Sequence, residues 1–207
     1  KMGCDIHCYA EVKTNNKWKK VGSIFKNPWY IWYKDNNKEV PKNEKEFTDS
    51  PYDGRNYNLF SILAGVRNDY NILPISNPKG LPNDISNEVR GKYSVWEDDG
   101  HSASWLTTKE LKEYDWKNKT ANYSGWFSIK DYVKFKNGED NFGYGKDVGG
   151  AMVVKISQEE ADLMLYKNNF DKNKSYYVYC EWIESCYESS RFFVDDTIPT
   201  LEKLGNP

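Results

Sequence analysis

The sequence predicts an α+β fold, and three features of the chain support it. Segments with the composition of β-strands stand near both ends, at residues 4–14 and 175–185. Helical spacing of apolar residues lies between them, most clearly at residues 55–69. Strand and helix signals do not alternate regularly, which argues against a parallel doubly wound sheet. We therefore expect a single domain over residues 2–207, in which an N-terminal hairpin and the late strands form an antiparallel sheet packed with several helices and long loops.

The N-terminal hairpin is predicted from the turn signal Asn15-Asn16, which separates the opening strand from a second strand at residues 17–25. Two later segments, 27–54 and 136–150, are polar or glycine-rich and carry no sustained period. We expect both to be loop excursions from the domain. Long loops of this kind often carry function.

Helices are predicted where a capping signal precedes an apolar stripe. Asn56 is a candidate N-cap for the helix within residues 55–69. We also expect short strands at residues 91–96 and 151–157. The spacing of a capping box, in which two residues bond each other's backbone, occurs twice, at Thr107 with Glu110 and at Ser157 with Glu160.

Composition restricts the classes of function. The formal net charge is -2, so the chain has no global basic field that would recruit extended nucleic acid through counterion release. Aromatic residues make up 16% of the chain, which argues for a folded domain. No apolar run reaches the roughly 18 residues of a membrane span, so we expect no membrane contact and a location in the cytoplasm of a host cell. A homo-oligomer is compatible with the aromatic composition.

The opening strand carries an unusual row of side chains. With a period of two, Asp5, His7 and Glu11 fall on one face, opposite an apolar face. Two carboxylates and an imidazole in register could form a ligand site; the alternative is a solvated sheet face with one structural histidine. The only other histidine, His101, lies in a small-residue stretch before the helix that Thr107 begins.

A metal site is one alternative for these residues. Asp5-Ile6-His7 resembles the D-x-H motif of calcineurin-like metallophosphoesterases, in which aspartate and histidine bind a metal pair, but the further histidine motifs of that family are missing here. Nitrogen and carboxylate ligands suit one Zn, Mn or Fe ion. The candidate ligands are Asp5, His7, His101 and Asp99, with Asp98 as a substitute for Asp99.

Two alternatives need no metal. His7 and His101 could act as an acid–base pair that cleaves a phosphodiester. We favour binding without turnover and without a cofactor, because cations hold phosphates and aromatic rings stack on bases. The arginines could instead form surface ion pairs, and the tryptophans could be core residues. The candidate ligand-binding residues are Asp5, His7, Arg55, Asn56, Arg67, Lys79, His101, Ser102 and Ser104.

Four motifs resemble a family of uncharacterised bacteriophage proteins that begin with GCDIH: that motif itself, RNYNLFSILAGVRN, PKGLP with the following DIS, and DGHSASWLT. The resemblance covers residues 2–115 and brings no catalytic residue to transfer. It implies a phage or prophage origin and a counter-defence role, in which the protein would sequester a nucleotide second messenger of bacterial immunity. A phosphodiesterase that cleaves such a messenger is the second hypothesis, and an inhibitor that binds a host defence enzyme is the third.

Overall fold

The structure is a computed structural model that describes residues 5–96, 99–139 and 141–205. Helices and sheets both occur along the chain, so the predicted α+β class is confirmed. The single domain over residues 2–207 stays a prediction. The chain divides into two compact units, of which unit 1 comprises Lys1–Ala121 with Ser185–Pro207, and unit 2 comprises Asn122–Glu184.

The secondary structure consists mostly of short elements. The first part of the chain forms β1 (Ile6–His7), β2 (Glu11–Thr14), β3 (Lys17–Lys20), β4 (Phe25–Lys26), α1 (Pro28–Asp35), β5 (Phe47–Thr48), β6 (Asp53–Gly54), α2 (Tyr57–Ala64), α3 (Asn87–Ser94) and α4 (Thr108–Glu113). The second part forms β7 (Thr120–Ser128), α5 (Ile129–Lys136), β8 (Val153–Ile156), α6 (Gln158–Lys167), β9 (Ser175–Ser185) and α7 (Ile198–Glu202). A 3₁₀ turn at Glu188–Ser190 and a π-helical turn at Phe193–Thr197 precede α7.

The opening strand is shorter than predicted, because the chain changes its pairing partner. β1 pairs antiparallel with β6, and the Cys8 amide continues this ladder by donating to the Tyr52 carbonyl at 3.0 Å. β2 pairs instead with β3, as the Asn15-Asn16 turn predicts. Asn15 and Asn16 both have positive φ, the conformation that a tight hairpin turn of this kind requires.

The segment 27–54, expected to be a loop excursion, contains a helix and two short strands. Asn27 caps α1 by accepting from the Trp29 amide at 3.0 Å, and Pro28 occupies the first turn. β5 and β6 then pair with β4 and β1. Strands of two residues are too short to leave a periodic signal, which is why the sequence did not reveal them.

The sheet arrangement also differs from the prediction. The N-terminal hairpin β2–β3 is a separate two-stranded sheet, and the late strands form a three-stranded sheet in the order β7-β9-β8. β8 and β9 are parallel, with Val153 opposite Ser175. The helix α6 lies between them in the chain and provides the crossover connection that parallel strands need.

Local capping signals explain which helices were predicted correctly. Asn56 caps α2, and both predicted capping boxes are present at the starts of α4 and α6. The predicted strand at residues 91–96 is wrong, because Ser86 caps α3 by accepting from the Val89 amide at 3.2 Å.

The core of unit 1 is centred on α2 and on the N-terminal hairpin. Leu59 and Ile62 of α2 are fully buried. Gly65 ends this helix with φ +65°, a left-handed conformation that glycine adopts without a steric penalty. A second apolar cluster joins the hairpin to the end of the chain and contains Ala10, Val21, Phe25, Leu201 and Leu204.

Unit 2 is a three-stranded sheet with both helices packed on one face. Burial alternates along β7 and β9, so each strand has one buried and one more accessible side. The buried cluster takes residues from both strands and from α5 and α6, and its central members are Phe127, Tyr132, Ala161, Val178 and Cys180. Since the helices cover this face, the opposite face of the sheet is the one that carries the accessible residues.

None of the helices in the described ranges combines the length and the apolar character needed to cross a bilayer.

Candidate functional site

The β1–β6 ladder brings four predicted or neighbouring polar side chains together. His7 is opposite Asp53 in the register, and Asp5 and Arg55 are the residues next to the paired Ile6 and Gly54. Arg55 Nε donates to Asp5 Oδ1 at 2.8 Å, and Arg55 Nη2 donates to Asp5 Oδ2 at 3.3 Å. These hydrogen bonds lower the pKa of Asp5 below its ordinary value. The pair is therefore a two-point ion pair, and Asp5 offsets the positive charge of Arg55.

The imidazole of His7 is held from two sides. Its Nδ1 atom lies 2.8 Å from Asp53 Oδ1, and its ring stacks on the indole of Trp96 with the centroids 4.8 Å apart. A proton on Nδ1, shared with Asp53, leaves Nε2 as the proton acceptor. His7 is thus an oriented imidazole at an exposed position.

The row predicted on the opening strand is incomplete, because Glu11 lies on β2 and accepts from the Ser86 amide at 2.8 Å.

Two other predicted residues serve the start of α2. Asn56 accepts from the Leu59 amide at 3.0 Å and donates to the Ser189 carbonyl at 3.1 Å, so its side chain is engaged in capping. Arg67 has a positive φ of 54°, and its guanidinium carbon lies 5.5 Å from the ring centroid of Tyr57, the first residue of α2. The helix therefore carries one arginine just before its first turn and a second one folded back over that turn.

The remaining predicted residues form a separate group around two loops. The Gly80 amide donates to the Ala103 carbonyl at 2.9 Å, which joins the loop of Lys79 to that of His101. Lys79 Nζ lies 3.8 Å from the ring centroid of Trp105 and 3.3 Å from Glu110 Oε1.

Within this second group the small residues are held locally. His101 Nδ1 lies 2.9 Å from Ser102 Oγ. Ser104 Oγ is shielded from solvent and has no hydrogen-bond partner within the described residues. The contacts of the His7 ring are with Asp53 and Trp96, and His101 is not among them. The acid–base pair of His7 and His101 therefore stays a prediction.

The four candidate metal ligands do not converge. In the described ranges, no three His, Cys, Asp or Glu side chains are arranged to hold a metal ion, and this includes Asp5, His7, Asp99 and His101. The reason is local, since the Asp5 carboxylate faces Arg55 and the His7 Nδ1 faces Asp53. Asp98 lies outside the described residues. The described residues therefore show no arrangement that would hold the predicted divalent metal, and a site that includes Asp98 stays a prediction.

Unit 2 contains a pocket that the sequence did not reveal. Its volume is about 330 Å³, and it lies where β7 passes into α5 and where β9 begins. We call it the lysine pocket, and its defining residues are Lys130, Lys172, Lys174, Phe170, Tyr176 and Tyr177. Phe170 and Tyr176 are in edge contact with ring centroids 5.3 Å apart, and the Tyr176 hydroxyl accepts from the Asp171 amide at 3.4 Å.

The charge of the lysine pocket is positive. Lys174 lies 4.0 Å from Asp171, whereas Lys130 and Lys172 have no ion-pair partner within the described residues. Asp131, in the first turn of α5, is engaged in local hydrogen bonds, because it accepts from Ser128 Oγ and from the Gly143 amide. These bonds, the Gly143 amide first, lower the pKa of Asp131 below its ordinary value. Two lysines are therefore available to an anion.

A second pocket, in unit 1, offers a contrast. Its volume is about 340 Å³, and Lys20, Lys92 and Glu88 are among its lining residues. Lys20 forms an ion pair with Asp49, and no aromatic ring is among the described residues that line this pocket. The combination of cations and aromatic rings thus distinguishes the lysine pocket.

Comparisons with protein-family models, with curated proteins and with solved structures found no match to this chain.

Proposed function

We propose that this protein binds a phosphate-bearing aromatic small molecule of the nucleotide class in the lysine pocket and retains it without converting it. The proposal is supported by the lining of that pocket, in which lysine and aromatic residues border one open cavity of about 330 Å³. Cavities of roughly 300–1,000 Å³ are typical of small-molecule sites.

The two kinds of side chain correspond to the two parts of a nucleotide. Lysine is a common phosphate ligand, and Lys130 and Lys172 have no competing carboxylate at ion-pair distance in the described chain. Phe170, Tyr176 and Tyr177 supply ring surfaces for a base. A bare phosphate would use only the cations, so the rings favour a ligand with an aromatic group.

The described lining of the lysine pocket contains none of the ligand-binding residues that the sequence predicts. Arg55 is bonded at two points to Asp5, and His7 faces Asp53. A phosphate placed there would approach two carboxylates, which opposes its binding. Sequestration of an immune second messenger, expected from the phage resemblance, is the biological role that we propose for such a binder.

Calorimetric titration of the full chain with AMP, GMP, CMP and UMP tests the proposal. We expect at least one mononucleotide to bind and to be recovered chemically unchanged. Lys130→Ala combined with Lys172→Ala removes two charged contacts, each of which contributes about 1.5–3 kcal/mol, so the affinity should fall by about a hundredfold or more. The control Lys167→Ala removes a lysine of α6 outside the pocket and should bind like the wild type. Failure of all four nucleotides to bind, or an unchanged affinity in the double variant, would refute the proposal.

One observation favours the phosphodiesterase as a second candidate. Asp53 orients His7 through Nδ1, which is how a general base is commonly positioned. Incubation of the full chain with linear and cyclic dinucleotides, followed by mass spectrometry, would reveal cleavage products. Cleavage by the wild type that is lost in His7→Ala would support this alternative.

A further inference from the structure

The face of the unit 2 sheet opposite the helices carries a row of aromatic side chains. Along β9, Val178 and Cys180 are buried under α5 and α6, so Tyr177 and Tyr179 lie on the other side. Along β7, the buried Phe127 likewise places Trp126 on that side. We call Trp126, Tyr177 and Tyr179, together with Lys155 of β8, the open face.

These residues form one contiguous surface. The rings of Trp126 and Tyr179 are in edge contact with centroids 5.3 Å apart. Lys155 lies opposite Tyr177 in the parallel register, and its Nζ is 4.6 Å from the ring centroid of Trp126. Tyr179 is 42% exposed, which leaves much of its side chain accessible. The open face therefore combines one exposed ring, that of Tyr179, with two half-buried rings and a lysine.

The open face is continuous with the lysine pocket through Tyr177. This residue lines the pocket and also belongs to the row on β9. Tyr179 follows on the same face, about 7 Å further along the strand. A molecule with its phosphate on Lys130 and Lys172 would thus meet Tyr177 first and then Tyr179 with Trp126.

We propose that the ligand of this protein is a short single-stranded oligonucleotide of two or three nucleotides, with one phosphate in the lysine pocket and the next base stacked on the open face. This inference rests on the proposed function. Accessible aromatic rings on a sheet bind successive bases of a single strand because every base has a stacking face. Lys155, whose ammonium group is paired with Asp147, lies beside the second base position.

The charges on the same surface limit the length of the ligand. Lys155 is paired with Asp147 at 3.4 Å, and Glu181 follows Tyr179 on the accessible side of β9. A phosphate beyond the second or third nucleotide would approach Glu181. The hydroxyl groups of the two tyrosines and the adjacent lysines are polar. This face therefore suits a nucleotide chain better than it suits an apolar surface of another protein. Ile183, 70% exposed, lies beyond Glu181 and outside the row.

The test compares AMP with the linear dinucleotide pApA and the trinucleotide pApApA, by calorimetry on the full chain. We expect pApA to bind at least tenfold more tightly than AMP. Tyr179→Ala should remove most of this gain and leave the AMP affinity unchanged, because the first base does not use Tyr179. Tyr179→Phe keeps the ring and should keep the gain. Tyr166→Ala, which removes an 87% exposed tyrosine from α6, is the matched control and should not alter the gain.

The outcomes separate this inference from the proposed function. If AMP binds and pApA binds no more tightly, the oligonucleotide inference fails while the lysine pocket stands as a mononucleotide site. If pApA gains affinity equally in the wild type and in Tyr179→Ala, the second base does not use the open face and the inference is wrong. If neither AMP nor pApA binds, both proposals fail for adenine nucleotides. The open face would then be better explained as a surface that binds a protein partner.

Discussion

The imidazole of His7 lies almost parallel to the indole of Trp96, at an interplanar angle of 11° and a centroid distance of 4.8 Å. Asp53 holds the same ring through Nδ1. His7 is thus fixed by a carboxylate and by an aromatic face. Its stacking on Trp96 connects β1 to the chain just after α3. These contacts give His7 a structural role that requires no ligand.

Replacement of His7 by alanine removes both contacts. Stacked aromatic pairs contribute about 0.5–1.5 kcal/mol, so we expect His7→Ala to lower the free energy of unfolding by about that amount, measured in urea. His7→Phe retains a ring on Trp96 and should recover most of the loss. Equal destabilisation in both variants would show that stacking on Trp96 does not stabilise the fold.

Arg55→Ala tests whether the two-point ion pair with Asp5 belongs to the ligand site. The pair is exposed, and exposed pairs weaken as salt screens them. We expect a small loss of stability that is larger at low salt than at high salt, and no change in nucleotide affinity. A tenfold loss of nucleotide affinity in Arg55→Ala would place the ligand in unit 1 and contradict the lysine pocket.

The capping box of α4 should make stability depend on acid pH. Hydrogen bonds from the Thr107 backbone and hydroxyl, and from Lys79, hold the pKa of Glu110 below its ordinary value of 4.5. A pKa that is lower in the folded state stabilises the fold above pH 4.5, and this contribution is lost as the pH falls through the lowered value. Glu110→Gln lacks the charge at every pH. The difference in Tm between wild type and variant should therefore be largest near neutral pH and should shrink below pH 4.5; a constant difference would rule out the ionised cap.

Two glycine substitutions should have opposite effects. A Cβ on Gly125 would lie 2.8 Å from Tyr144 Cδ2 and 3.1 Å from the Gly145 carbonyl oxygen, so Gly125→Ala should cost about 1–3 kcal/mol of stability. Gly91 lies within α3 with nothing within 4 Å of such a Cβ, and Gly91→Ala should stabilise by about 0.5–1 kcal/mol. Thermal unfolding of both variants shows whether each substitution raises or lowers the Tm. An unchanged Tm in Gly125→Ala would argue against the close approach of the segment at Gly145 to β7.

Local signals in the sequence were sufficient for several elements. Asn56 and the capping boxes at Thr107 and Ser157 depend on residues three positions apart, so they could be recognised without knowledge of the fold. The strand β7 was missed, because Gly125 and the small polar residues of TANYSGWFS lower its strand propensity.

Long-range relationships account for most of what the sequence could not predict. The partner of His7 is Asp53, which becomes its neighbour only through the β1–β6 register. The lysine pocket joins Lys130 to Lys172 and Lys174, which are distant in sequence and carry no motif. Only the cluster of cations before two tyrosines at residues 172–177 could have indicated it. Asp5 and Arg55 were both predicted to bind a ligand, and the sequence could not show that they bind each other.

The most direct test of the lysine pocket is an NMR titration of the isotopically labelled full chain with AMP, GMP, CMP and UMP, in which the backbone amide shifts are followed residue by residue. We expect at least one nucleotide to shift the amide signals of Lys130, Lys172 and Tyr176 in a saturable manner, while those of His7 and Arg55 do not change. Saturable shifts at His7 and Arg55 without shifts around the lysine pocket, or no saturable shifts at all, would contradict it.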